Sequence, residues 1–493
     1  MRNSTTRRPR ESGGPVSRVA RPWIPAFAGM TLFLAGCAVG PDYQRPDTPV
    51  APAFHAQDAA YAATEPTADF WRGFDDPLLT QLVEGALAAN HDLRAALARL
   101  DQARALARLS RHDLLPTVTA GAGYTETRAS QDQAPGVPRE QRDGEFYDAG
   151  FDAFWELDVF GRVRRGVEAS RAEADAAAAD LRALQVSLAA EVARTYFELR
   201  GLQEQLRVAR GNAENQAATL ALTQARLDAG RGTEFDVARA RGQLEFTRSR
   251  IPALEAALLA AAHRLAVLNG REPGALLGEL AAPAPLPAAP DRIAVGAPAE
   301  LLRRRPDVQA AERRLASATA RVGLATADLF PRVTFNGTLG ASAADLGDLF
   351  TRDSQAYAFG PAIGWAFLDL GRVRSRIVAS ESGAAANLAL YEGAVLRALE
   401  ESENALAGFA RSQREGRHLA ESASASTRAA QLARLRFDGG AADFLHVLDA
   451  ERSQLESEDR LAQSRTRTAT ALVAVYKAVA GGWPDRAAGV ASR

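Results

Sequence analysis

The sequence predicts an α+β membrane protein in which very long helices continue a β-barrel pooled from several chains. Three observations carry that prediction. The chain repeats itself at a domain-sized period, its apolar residues recur at helical spacing over long stretches, and four short segments alternate like bilayer-spanning strands. Averages alone point elsewhere. The 493 residues are 47% hydrophobic and 24% charged, ordinary for a folded chain. A formal net charge of −1 leaves no electrostatic footprint for nucleic acid. No run reaches the ~18 uninterrupted apolar residues of a spanning helix.

The amino terminus comes first. Residues 1–36 read as an export signal: arginines from Arg2 through Arg21, then an apolar stretch from Trp23 that ends Leu34-Ala35-Gly36. Cys37 follows at once and is the only cysteine. Its position resembles the lipobox of bacterial lipoproteins, where the cysteine sulfur carries a diacylglycerol. Acyl chains add ~0.8 kcal/mol per buried methylene, so the expected covalent lipid is an anchor. Ala38 after the cysteine fits an outer-membrane destination. Residues 37–69 contain Pro41, Pro46, Pro49, Pro52 and Pro66 and read as an extended tether.

The body is a duplicated unit. Asp92 to Pro116 matches Asp307 to Pro331, an offset of 215. Trp155-Glu-Leu-Asp158-Val-Phe-Gly161-Arg162 answers Trp365-Ala-Phe-Leu-Asp369-Leu-Gly371-Arg372 at an offset of 210, and Arg226-Leu-Asp-Ala-Gly230 answers Arg436-Phe-Asp-Gly-Gly440 at the same offset. The first repeat covers 70–275 and the second 299–483. A Pro-rich linker, 276–298, separates them, and 484–493 is a flexible tail.

Each copy reads as helix, two strands, very long helix, turn, helix. Asp76-Pro77 opens the first helix, since Asp caps free amides and Pro fits the first turn. Copy one gives helix 77–114, strands 116–127 and 146–158, and helices 162–228 and 234–269. Copy two gives helix 299–329, strands 331–342 and 355–369, and helices 372–437 and 442–480. In the long helix, Leu181, Leu184, Leu188, Val192, Tyr196, Leu199, Leu202 and Leu206 recur with a period near 3.57, between a straight helix and a coiled coil. About 66 residues at ~1.5 Å each make a rod of ~100 Å, which must pack side by side with others.

The strand segments alternate apolar and small or polar residues, with aromatics at their ends, as in Val333-Thr-Phe335-Asn-Gly-Thr-Leu339. Four strands cannot close a barrel with a lumen, for which ~8 are the usual minimum. An open edge in lipid would leave amides unpaired. Three chains would give twelve strands under cyclic symmetry.

Enzyme chemistry has no foothold. The one lysine, Lys477, follows Val475-Tyr476 rather than a glycine loop, which excludes a P-loop. The six histidines form no local metal pair, and no Gly-x-Ser-x-Gly elbow occurs. The expected cofactor list is empty, apart from the lipid on Cys37.

In combination, several motifs resemble the TolC-like outer membrane efflux proteins, in the NodT-type lipoprotein branch. They are Cys37 with Gly40-Pro41-Asp42-Tyr43, Phe70-Trp71 with Phe74, Arg304-Arg305-Pro306-Asp307-Val308 with Ala311-Glu312, Phe330-Pro331, and Tyr476-Lys477-Ala478 with Gly481-Gly482-Trp483. The resemblance implies a homotrimer with a twelve-stranded barrel in the outer membrane. A hollow helical barrel hangs from it into the periplasm. It further implies a periplasmic membrane-fusion adaptor and an inner-membrane pump, expected to be of the RND type, so the chain is a passive export duct.

The same resemblance implies a periplasmic gate at the second helix turn. Leu445 would form an apolar ring, Asp449 an acidic ring, and Arg452 its partner at i+3. Asp236 and His446 would line the rim. His446 stands where family members often carry an acid, so a second acidic ring is not implied, and a histidine there would make the gate respond to pH. Phe235 and Phe444 would pack inside or meet the adaptor. Trp155 and Trp365, at one place in both copies, suit a membrane boundary. The competing reading is a lipid-anchored periplasmic coiled-coil scaffold without a pore, with Asp449 and Arg452 as a solvated helix pair.

Overall fold

The computed structural model describes residues 38–56, 58, 60–62, 64, 69–287 and 292–479. The elements run β1 (Tyr61–Ala62), α1 (Pro77–Ala89), α2 (His91–His112), β2 (Thr117–Arg128), β3 (Asp143–Leu157), α3 (Arg162–Asp228), α4 (Glu234–Leu268) and α5 (Leu277–Leu280). The second copy continues with β4 (Ile293–Ala294), α6 (Pro298–Arg304), α7 (Pro306–Ala327), β5 (Arg332–Ala343), β6 (Gln355–Gly364), α8 (Leu370–Asp438) and α9 (Phe444–Val479). Cys37, the signal segment and residues 480–493 lie outside the described residues.

The structure corrects three expectations. The helix expected over 77–114 breaks at Asn90, whose backbone is extended (φ −62°, ψ 132°). Its side-chain oxygen caps α2 by accepting from the amides of Asp92 at 2.9 Å and Leu93 at 3.1 Å. The helix expected over 299–329 breaks 215 residues later at Arg305 (φ −61°, ψ 120°), where Pro306 removes an amide donor and restrains the residue before it. One break therefore recurs in both copies through different chemistry. The strand expected over 355–369 stops at Gly364, because its only neighbour, β5, begins at Arg332 and pairs no further.

The segment read as a tether is extended but docked. The Val39 amide donates to the Phe160 carbonyl at 3.1 Å. The buried guanidinium of Arg165 donates to Val39 O, Gly40 O and Asp42 Oδ1 at 3.2, 3.3 and 2.7 Å. Gly40 has φ +89°, and a Cβ there would lie 2.4 Å from the Gly323 Cα, so only glycine lets the strap pass. Lower down, both carboxylate oxygens of Glu403 accept backbone amides, from His55 at 2.8 Å and Ala56 at 3.0 Å. β1 then pairs in parallel with β4. The tether and the Pro-rich segment thus join in one collar around the helices.

The main apolar core lies under this collar. Trp71, Tyr196, Phe197, Tyr391 and Phe409 are fully buried there. Phe70 stacks on Tyr476 at 5.0 Å, and Phe74 meets Phe197 edge-on at 5.0 Å. Tyr196 donates to Asp76 Oδ2 at 2.6 Å, and burial together with that bond pushes its phenol up to about 12. The arginine cluster is built into the same region. Arg305 bonds Asp307 Oδ2 at 2.7 Å, Glu401 Oε2 at 2.6 Å and Ala478 O at 3.0 Å, and Lys477 bonds Glu401 Oε1 at 2.8 Å. Burial works to raise the Glu401 carboxyl, but Lys477 and Arg305 hold it below its ordinary value; Asp307 is lowered against burial by Arg305 in the same way.

The helices form one curved layer. α3 packs against α2, α4, α7 and α9, and α8 packs against α7 and α9. That leaves α2 with α4 on one flank and α8 on the other. The flanks are apolar: Leu106, Leu109, Phe246 and Leu259 are exposed on the first, Leu390, Leu396, Leu432 and Leu435 on the second. By length and composition, α4 alone among the described helices could cross a membrane, but it lies along α3.

Candidate functional site

At the distal end, the two turns differ. In the first, Thr233 caps α4: its hydroxyl accepts from the Asp236 amide at 3.2 Å and donates to Asp236 Oδ2 at 2.6 Å. Asp236 is thereby occupied with a cap. Phe235 is 63% exposed, with the Arg239 guanidinium 5.5 Å from its ring centroid. In the second turn, Phe444 is buried with Phe437, Val447, Leu448 and Ala240. The two phenylalanines that sequence could not separate therefore go opposite ways within the chain. The offset of 210 makes Leu445 the counterpart of Phe235, and His446 that of Asp236.

Burying Phe444, Val447 and Leu448 turns the opposite face of α9 outward. Leu445, Asp449, Arg452 and Glu456 form an exposed stripe at helical spacing on it, with His446 beside it. Arg452 donates from Nε to Glu456 Oε1 at 3.1 Å, not to Asp449 as the i+3 spacing suggested. The two turns are tied together, since Arg226 donates to Phe437 O at 2.9 Å and lies 3.8 Å over that ring.

Above the turns, the helix core is polar. The buried Glu451 accepts from Thr219 Oγ1 at 2.9 Å and Arg434 Nε at 2.8 Å. Glu458 accepts from Asn212 at 3.0 Å, Thr427 at 3.2 Å and Gln454 at 2.8 Å. Gln216, one turn from Thr219, is 3% exposed with neither amide atom paired. Sequence reading missed this seam, because Asn, Gln and Thr at helical spacing look like a solvated face. Among the described residues, no group of three or more potential metal ligands converges.

At the other end, β2-β3-β5-β6 form one antiparallel sheet, and its register sorts the side chains by face. One face carries Val118, Tyr124, Phe151, Trp155, Phe335, Leu339, Phe359 and Ile363. The other carries Thr117, Thr119, Asp148, Asp152, Asn336, Thr338, Gly360 and Ala362. This is the apolar-out, polar-in order of a transmembrane barrel wall. At its foot, the indole of Trp155 donates to Leu114 O at 3.0 Å, and that of Trp365 donates to Leu329 O at 3.0 Å. These are equivalent positions in the two copies. Each ring is pinned to the second residue after the preceding helix, at the level expected of an interfacial belt.

Comparison with known proteins agrees with this geometry. The family model described as outer membrane efflux protein matches residues 82–271 and 297–481, most of the chain. Nodulation protein T of Rhizobium leguminosarum bv. trifolii is 30% identical over 467 residues, spanning 94% of this chain and 98% of the relative. Outer membrane protein OprJ of Pseudomonas aeruginosa is 32% identical over 468 residues, spanning 94% and 97%. The solved structure of the outer-membrane channel OprN superposes with a TM-score of 0.86 at 45% identity, covering 91% of this chain and all of that one. The chain belongs to the outer membrane efflux protein family, non-enzymatic channels that serve as the outer membrane component of tripartite efflux pumps.

Proposed function

We propose that three copies of this chain close into a passive duct across the outer membrane and periplasm, shut at the distal tip by Leu445, Asp449 and Arg452. The observation that carries the reading is the sheet, whose faces are sorted by chemistry while both outer edges, β2 and β6, are unpaired among the described residues. Each unpaired amide in lipid costs several kcal/mol. Pairing β6 of one copy with β2 of the next removes every edge, and twelve strands suffice for a lumen. The same operation covers the apolar flank of α8 with that of α2 and α4.

In this trimer the exposed stripe of α9 turns to the axis. Leu445 supplies an apolar constriction, and three Asp449 carboxylates supply a field that favours cations. Arg452 braces the stripe through Glu456, with Asp236 and His446 on the rim. Cys37 carries the lipid. It precedes Val39 by two residues in the sequence, and Val39 is bonded to Phe160 beside the strand foot. The anchor then enters the inner leaflet of the outer membrane at the level of Trp155 and Trp365. Cargo arrives through a periplasmic adaptor from an inner-membrane pump of the RND type, which supplies the energy.

Planar bilayers test the gate. The protein should give a small, cation-preferring conductance, and Asp449→Ala should enlarge it and weaken the preference. No change in either would remove Asp449 from the gate. Extraction tests the scaffold alternative: exported under another signal, a Cys37→Ser protein that needs no detergent would favour the scaffold.

A further inference from the structure

One stripe of the barrel wall serves neither the gate nor the closure of the sheet. On the polar face of β3 the residues read Phe146, Asp148, Gly150, Asp152 and Phe154. Their cross-strand neighbours are small. Gly150 lies between Gly121 and Gly340, Asp148 between Gly123 and Ser342, and Asp152 between Thr119 and Thr338. A Cβ on Gly340 would lie 2.6 Å from Ala149 O, and one on Gly150 would lie 2.8 Å from Leu339 O. These glycines let the strands close up and leave a flat floor with a carboxylate above it and another below.

The two aspartates stand four residues apart, about 13 Å, so they are separate positions rather than one site. Both are exposed, and neither forms an ion pair with another described residue. The only basic side chain on this face of the four strands is Arg332, and Asp328 holds its guanidinium at 2.6 Å. Glu156, further down β3, is taken by Arg162 at 2.5 Å. The uncompensated charge of the wall is therefore that of Asp148 and Asp152. A phenyl ring flanks each of them two residues away on the same face, Phe146 being 48% and Phe154 52% exposed. The stripe leads toward a recess of about 390 Å³ at the strand foot, lined by Thr117, Phe154, the Glu156–Arg162 ion pair and Arg321.

A carboxylate with a ring beside it complements a cation that has an apolar body. The carboxylate takes the charge, and the ring face takes the alkyl groups around it. A small inorganic cation keeps its hydration shell and has no use for the ring, and an anion is repelled. We propose that the Phe146–Phe154 stripe is a weak docking surface for organic cations in transit, repeated three times around the duct. This rests on the trimeric duct reading and adds a preferred class of cargo to it.

Benzyltrimethylammonium, added to the barrel side of the full-length protein in planar bilayers, is the probe. It should reduce the current, and Asp148→Asn with Asp152→Asn should raise its blocking constant at least fivefold. Phe154→Leu should raise it two- to threefold while leaving block by magnesium, which keeps its hydration shell, unchanged. Equilibrium dialysis of the detergent-purified variants with the same probe gives the comparison where a variant inserts poorly. Block and binding that ignore the aspartate substitutions would overturn the site alone. So would a Phe154→Leu effect equal for benzyltrimethylammonium and magnesium, which would leave only a diffuse field. A wild-type protein that inserts without conducting would overturn the duct reading and the site together.

Discussion

The collar and the distal third of the helices are made from the same rods, yet their interiors are unlike. Under the collar, α3 buries Val192, Tyr196, Phe197 and Leu199 with Arg200 and Gln203 among them; toward the tip the large apolar side chains give way to Asn212, Gln216 and Thr223 beside Val208, Ala209 and Ala213. The first kind of core is non-directional and gains free energy with every apolar atom covered. The second is held by aligned hydrogen bonds, each of small net value, and it contains the unpaired amide of Gln216. The difference teaches that stability and adjustability are assigned to different heights of one continuous helix. Elements that move are drawn from the less stable parts of a fold.

Substitutions can break or sharpen that contrast. The largest effect is expected in the collar, where Trp71→Ala should cost about 3–5 kcal/mol and sharply lower the thermal midpoint of the folded protein. A loss under 1 kcal/mol would deny the collar its place as the main core. Next comes Arg305→Ala, which leaves Glu401, Asp307 and the Ala478 carbonyl short of a partner and should cost about 2–3 kcal/mol. The pH dependence has the matching sign. The carboxyls of Glu401 and Asp307 are held below their ordinary values, so their contribution is present at neutral pH. It should fade as pH drops through the ordinary carboxylate range near ~4 and below. An acid melting series should show that decline in the wild type and a shallower one in Arg305→Ala.

At the tip the effects are smaller. Thr233→Ala removes the α4 cap and should cost about 1 kcal/mol, seen as faster amide exchange confined to the first turn. Gln216→Leu should act in the other direction, stabilising by up to about 1 kcal/mol, since a buried unpaired amide is replaced by an apolar group of similar size. A destabilised Gln216→Leu protein would mean that the polar seam is better satisfied than the geometry implies.

Much of the scaffold was legible in the sequence for a physical reason. The 67-residue rod of α3 has the expected bounds, because a period sustained over that length outweighs local propensities. The breaks at Asn90 and Arg305 were not foreseen, although both carried a signal, a capping residue in one and a following proline in the other. Each signal occupies one position inside a strong periodic pattern. The early end of β6 depends on where its neighbour starts, which no local pattern encodes. At the tip, Leu445, Asp449 and Arg452 were named through the family resemblance, and α9 exposes them along one face. The pairing of Arg452 with Glu456 was not legible, because i+3 and i+4 partners compete on nearly equal terms. The aspartates of β3 were visible as letters, but only the register put them on the polar face.

One feature of the helices has a mechanical consequence. α4 stops at the collar, α9 is described there only as far as Val479, and α1 and α2 are separated by the break at Asn90. Among the described helices, only α3 and α8, of 67 and 69 residues, run from the distal turns to the foot of the strands without interruption. They are two drive shafts of ~100 Å each, held in a bearing. A twist or tilt imposed at the tip reaches the membrane along these two shafts, while the other helices transmit it only as far as the collar.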